Sequence, residues 1–319
     1  MSTRVVGGVL VRRAAQALTV AVGVSALCFV ITQRLPGDIA YRIAAGRYGY
    51  DMVDAAAAAQ VRDELGLDQP LWQQLGAWVV DLLQLDLGRS LVTSQPVLEE
   101  VGFYLVGTLQ LAALAIVIAV VLGAGIGVVA ARRPGGIADR FASLWVAGVR
   151  AVPPFLLGLL LMILLSAQLG LFPAVGHGGG SIVLPALTLG LGLSGLIARV
   201  TRDAVVEVRG SAYVEFAQTK GLAERWVLVR HVVRNAAVVL VPYLGVQFVV
   251  LIEGVVVVES LFAWDGLGHS LVHAVFWRDI PVLQASALVL ALLIVLVNTL
   301  VDLAVAWLDP RPRGRAVAA

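Results

Sequence analysis

His269 and His273 stand four residues apart and are the closest this sequence comes to a chemical pair. On a helix that spacing puts two imidazoles on one face, as in metal sites. No third ligand accompanies them at a recognisable spacing, so no metal site is assigned and the pair reads as a solvated or interfacial face. His177 lies in a glycine-rich stretch, and the fourth histidine is His231. Cys28 is the sole cysteine, which excludes an internal disulfide and a cysteine-based zinc cluster. It reads as a small packing residue. Serines, histidines and acids form no catalytic set. The only lysine, Lys220, is followed by Gly221 and Leu222, whereas a phosphate-binding P-loop needs Gly-Lys-Ser/Thr. The chain is therefore expected to be no enzyme and to hold no cofactor. Any ATP it uses must be bound by another subunit.

The other residues with chemical potential are those that cost free energy where they stand. Arg150, Glu253 and Asp302 interrupt long apolar stretches. Ionisable groups inside a membrane are expensive and face a cavity or a partner. Arg150 and Glu253, with Gln247 on the same stretch as Glu253, are candidates for lining a translocation path. Two alternatives stay open: pairing with a sister subunit, or an internal Arg150–Glu253 ion pair that only orders helix packing.

The elements that must position these residues follow from composition. Of 319 residues, 60% are hydrophobic and 14% charged. Mean hydropathy is +0.92. A soluble domain is about half apolar and about a quarter charged. An ordinary cytosolic enzyme, a disordered chain and a collagen-like chain are excluded, and the balance points to lipid as solvent. A net charge of +2 is too small for a nucleic-acid binder.

A membrane span needs about 20 mostly apolar residues. Charge-free stretches cover 14–33, 101–131, 151–198, 235–252 and 280–301. The third is long enough for two spans, and Phe172-Pro173 with His177-Gly178-Gly179-Gly180 breaks it. An all-α membrane protein with six transmembrane helices is expected, roughly at 10–33, 103–131, 140–169, 182–205, 235–262 and 282–308. The first run exceeds the 7–15 apolar residues of a signal peptide and is read as a retained span. With both termini inside, sixteen Lys and Arg fall on the cytoplasmic side and six outside. The positive-inside rule then gives an N-in/C-in orientation.

Small residues mark close helix contacts. Gly123 and Gly127, together with Gly190, Gly192 and Gly195, read as packing positions, some of them open to a subunit interface.

Residues 34–100 carry ten acids and five arginines and form an extracytoplasmic segment. A helix is expected from Ala55, with Asp54 as its N-cap, and another over 70–85 with Trp72 and Trp78 at the membrane interface. This segment reads as a folded cap or as a docking surface for an external partner, and the two are compatible. Residues 1–33 precede it, a membrane core of 101–312 follows, and 313–319 form a tail.

The cytoplasmic loop 203–234 is the most polar stretch. Its run from Tyr213 to Lys220 reads as a short helix ended by a glycine C-cap at Gly221. A second helix follows toward the fifth span. Such a helix–glycine–helix elbow suits a lever moved by a partner, although a solvated positive-inside loop would read similarly.

At this loop the sequence resembles the EAA loop of ABC-importer permeases, through Glu215-Phe216-Ala217 and Gly221. It is similar in particular to the dipeptide/oligopeptide/nickel branch, through Tyr213-Val214, Lys220-Gly221-Leu222, Arg230-His231 and Arg234-Asn235. Further patches agree in order: Leu35-Pro36-Gly37-Asp38, Leu65-Gly66-Leu67-Asp68-Gln69-Pro70-Leu71, Asp86-Leu87-Gly88-Arg89-Ser90, Val258-Glu259-Ser260-Leu261-Phe262, Gly266-Leu267-Gly268, Arg278-Asp279-Ile280-Pro281 and Leu308-Asp309-Pro310-Arg311. The sequence departs from the family at Val238-Val239, at Asp265 and at Glu253.

The resemblance implies a type I ABC importer permease fold in a bacterial cytoplasmic membrane. It implies a second homologous permease, two cytoplasmic ATPases and an extracytoplasmic binding protein as partners. Tyr213, Glu215, Ala217, Lys220, Gly221, Leu222 and Arg225 would couple to an ATPase. Peptide is the first expectation for cargo, and nickel or a metal chelate the second. A secondary transporter driven by an ion gradient is the alternative of another class.

Overall fold

A computed structural model describes residues 3–34, 37–64, 86–175, 181–227 and 232–308, with residues 73, 76, 80 and 84 between. The expected helix over 70–85, His177 and the tail 313–319 lie outside the described residues or largely so. Every described element is helical, apart from one isolated bridge between Arg89 and Pro96.

Four helices are long and apolar enough to cross a membrane. They are α4 (Val97–Ala131), α7 (Val183–Arg209), α10 (Arg234–Phe262) and α12 (Ile280–Leu308). A fifth candidate is a pair, α5 (Ile137–Ala151) and α6 (Pro154–Leu161, continued by a π-helical turn Met162–Gln168), bent by 101°. This corrects the expectation of one helix over 140–169. Proline disfavours helical backbone in the residue before it. Val152 before Pro153, and Pro153 before Pro154, are accordingly extended, with ψ of 118° and 148°. The N-terminal helix α1 (Thr3–Arg34) lies along α12. There Arg13 donates to the Asp302 carboxylate from Nη2 at 2.6 Å and from Nε at 3.0 Å. The costly acid in α12 thus has its cation on α1.

The bundle is centred on α4 and α7, which run parallel and in close contact. Gly123 and Gly127 of α4 face Ser194 and Ala198 of α7, where an added Cβ would come within 2.7 and 2.5 Å of backbone oxygens. Gly190 packs against Ala115 and Ile118 in the same way. Gly195 instead faces α5, and Gly192 meets open space. Inside, α10 and α12 complete an apolar core that includes Leu111, Leu184, Leu251 and Val255.

Two substructures cap opposite ends of α4. From Gly107 to Ala131 the helix rises about 36 Å at about 1.5 Å per residue, more than the roughly 30 Å of a bilayer's hydrocarbon. Near Ala131 sits an elbow of α8 (Ala212–Thr219) and α9 (Glu224–Val227). Near Gly107 sits a shelf made by α11 (Leu267–Trp277), α2 (Ile39–Tyr48) and α3 (Ala55–Glu64). Asp38 caps α2 through the Ala40 N–H at 2.9 Å, and Asp54 caps α3 through the Ala57 N–H at 2.8 Å. Ile43, Ala44 and Val61 form the small core between α2 and α3.

Candidate functional site

The elbow is held from within by apolar side chains. Val214, Ala217 and Val227 are buried with Ala131, Ala204, Val205, Val232 and Ala236. Val214 and Ala217 are three residues apart, so one face of α8 turns inward. The opposite face turns out: Tyr213, Phe216, Leu222 and Trp226 are exposed, Phe216 by 60%. Glu215 is exposed beside them. The Lys220 ammonium lies 4.5 Å from the centre of the Phe216 ring, a cation–π contact. Gly221 ends α8 with φ of +76°, and the Leu222 N–H reaches back to the Ala217 carbonyl at 3.4 Å. That is the six-to-one closure of a Schellman cap, which favours glycine at this position.

Of the residues expected to couple here, Tyr213, Glu215, Lys220, Gly221 and Leu222 lie on or beside the outward face. Ala217, also in the expected coupling set, is buried on the inward face that it shares with Val214. The Arg225 side chain lies outside the described part. Phe216 and Trp226 are exposed residues of the elbow outside the expected coupling set. Their signal was there, in large aromatics placed off the Val214–Ala217 face.

At the same end of the bundle, Arg202 of α7 grips Asp139 of α5 with two parallel bonds, from Nε at 3.0 Å and Nη2 at 2.8 Å. Asp139 also accepts from the Gly135 N–H at 2.7 Å. This fork-to-carboxylate geometry fixes the start of α5. Trp145 then bonds Ser194 from Nε1 at 3.1 Å, holding α5 along α7.

Arg150 and Glu253 are both exposed on the protein surface, and no ion pair joins them among the described residues. Glu253 stands on α10 in a stripe of exposed valines, Val239, Val246, Val250 and Val257. These positions share one helix face by their spacing. Gln247 turns the other way and is buried at 4% exposure, with no hydrogen-bond partner for Nε2. It lies about 120° around α10 from Glu253, at about 100° per residue.

The shelf rests on two buried carboxylates that composition alone did not single out. Glu259, at the end of α10, has no exposed surface. It accepts from the Thr108 hydroxyl at 2.7 Å, the Gly268 N–H at 2.7 Å and the His269 N–H at 3.3 Å. It therefore caps the first turn of α11 and ties it to α4. Thr108 in turn accepts from the Leu267 N–H at 2.8 Å. The carboxylate lies directly against Gly266, where an added Cβ would collide with it, and a Cβ on Gly268 would strike the backbone of α10 at Val256. This is the physical content of the Gly266-Leu267-Gly268 pattern. Asp279 plays the matching part before α12. It accepts from the Ser90 hydroxyl, from the Leu91 N–H at 3.1 Å and from the Val92 N–H at 3.3 Å. On α11 the His269 and His273 rings touch, with centroids 4.5 Å apart. Burial first, and then His273, push the His269 imidazole below its ordinary value, with Asp265 opposing. No group of three metal-ligating side chains forms among the described residues.

An apolar helical bundle with an exposed aromatic elbow at one end and a rigid shelf at the other is the form of a membrane permease subunit. Comparison with known proteins carries this further. Residues 123–314 match the family described as binding-protein-dependent transport system inner membrane component, and residues 8–106 match the N-terminal model of the same systems. The chain belongs to this family and is the permease component of a binding-protein-dependent ABC importer. It is 40% identical over 292 residues to a glutathione transport system permease protein of Salmonella paratyphi A (strain ATCC 9150 / SARB42), covering 91% of this chain and 94% of that one. It is equally 40% identical over 314 residues to a Brucella abortus (strain 2308) protein provisionally named as a peptide transport system permease, covering 95% and 98%. In fold it resembles the inward-facing MetNI methionine ABC transporter, with a TM-score of 0.59 at 20% identity over 68% of this chain and 100% of that one. The family match sets aside the ion-gradient secondary transporter.

Proposed function

We propose that this chain forms half of the path of a peptide importer in a bacterial inner membrane, with six spans and both termini inside. The six spans add α1, with its charge-free run 14–33, to the four long helices and the bent pair. In this reading a second permease completes the path, two ATPases sit under the elbow, and a binding protein delivers cargo at the shelf. A peptide cargo, glutathione included, is supported by the names of the relatives at 40% identity. Arg150 and Glu253 face the path or the sister permease, since exposed charge at membrane depth needs one or the other.

The observation that carries the coupling role is the split of the elbow. Its inward face packs against α4, α7 and α10, and its outward face presents the exposed side chains of Tyr213, Phe216 and Trp226. Aromatic residues of this kind are enriched in protein interfaces. When ATP closes the ATPases, the elbow moves as a unit and the bundle follows. The test is ATP hydrolysis by the purified, reconstituted complex. Wild type should be stimulated by loaded binding protein. Phe216→Ser and Glu215→Ala should lose that stimulation or shed the ATPases. Stimulation at the wild-type level in both would overturn the assignment.

A further inference from the structure

A cavity of about 270 Å³ opens in the shelf, between the turn at 90–93, the start of α4, α11 and the start of α12. The coupling reading gives it no role. Glu100, Thr93, Tyr104, His269, His273 and Trp277 line it. The Glu100 carboxylate takes one hydrogen bond, from the Thr93 hydroxyl at 3.0 Å, and keeps most of its acceptor capacity. Asp279 also reaches the cavity, but its oxygens are committed to the turn. Two carboxyl groups, Glu100 and Asp279, and no lysine or arginine are among the described lining residues. Burial pushes the His269 imidazole below its ordinary value.

A small cationic ligand fits such walls, and two kinds are possible. A metal ion would need three convergent ligands, and the described residues supply no such group. A protonated primary amine asks for less geometry. It offers three N–H donors and one charge, is satisfied by a carboxylate and hydroxyls, and is attracted to the faces of Tyr and Trp rings. The volume lies just under that of drug-sized pockets, which run from about 300 Å³, so it suits the end of a larger molecule.

We propose that this cavity binds a primary ammonium group, with Glu100 as counter-charge, Thr93 and Tyr104 as polar partners and Trp277 as the aromatic wall. The inference rests on the transport reading for the source of the amine. That source is the amino end of the cargo or a lysine of the delivering protein.

The experiment uses the full complex in nanodiscs and follows carbethoxylation of His273 by mass spectrometry. Alanyl-phenylalanine should slow labelling several-fold, and N-acetyl-alanyl-phenylalanine should not. Slowing by the free dipeptide alone assigns the amine to the cargo. Slowing only by cargo-free binding protein, lost when its lysines are acetylated, assigns it to that protein. Either result upholds the site. Glu100→Gln should abolish the protection and Glu100→Asp should keep part of it, with basal ATP hydrolysis as the check that both complexes are intact. Equal slowing by both dipeptides, no slowing by any probe, or full protection in Glu100→Gln would overturn the proposal. A failure of the transport reading would show separately, as ATP hydrolysis that loaded binding protein does not stimulate.

Discussion

The shelf and the elbow stand at opposite ends of α4 and are held by opposite kinds of force. The shelf is fixed by directional bonds: Glu259 ties α10, α4 and α11 together, and Asp279 ties the 90–93 turn to the start of α12. The elbow is fixed by a small apolar cluster and by one left-handed glycine. Buried, satisfied polar networks permit one arrangement and rigidify it. Apolar contacts have no direction and tolerate sliding. A receiving platform and a moving lever would be built in just these two ways.

Removing a bond from the shelf should cost the most. Glu259→Ala strips acceptors from a buried hydroxyl and two N–H groups and should destabilise the complex by about 3–5 kcal/mol, since each buried donor left unsatisfied costs about 1–3 kcal/mol. A thermal melt of the purified complex would read it as a lowered midpoint or as failure to assemble. If Glu259→Ala melted like wild type, the contrast between the two ends would lose its basis.

An intermediate effect is expected at Gly221. An L-residue pays roughly 1–2 kcal/mol for left-handed backbone, so Gly221→Val should loosen the elbow while the shelf stays intact. Binding-protein-stimulated ATP hydrolysis should fall with little change in melting. Equal losses in both would make the elbow a structural element and no lever.

The smallest effect should come from pH at the shelf. His269 is held below its ordinary value by burial and by His273. The unfolded chain therefore takes up the proton first. The stability tied to neutral His269 is whole above about pH 6.5, the ordinary histidine value, and is lost as pH falls through the lower folded value. His269→Asn should flatten the dependence of melting on pH below about 6.5, whereas Phe216→Ser should leave it unchanged.

Much of this could be read along the chain. Charge-free runs located the long helices, since lipid admits only self-satisfied apolar helix at such length. Asp54, Gly221, Gly123 and Gly127 announced their roles because caps, left-handed turns and close helix contacts depend on residue type and on neighbours in sequence. Lys220-Gly221-Leu222 was visible as an elbow for the same reason. What the sequence could not settle was which side of a helix would face in: Ala217 on α8 and Gln247 on α10 are both buried. Nor could it show that the Arg150–Glu253 pair is not made, while Asp302 is answered by Arg13 from 289 residues away. Glu259 stood in a quoted pattern, yet its partners Thr108 and Gly268 lie 151 and 9 residues off in the chain. Local chemistry fixes caps, turns and spans. Only packing brings a buried carboxylate to its donors, because those contacts exist when α4, α10 and α11 have already met.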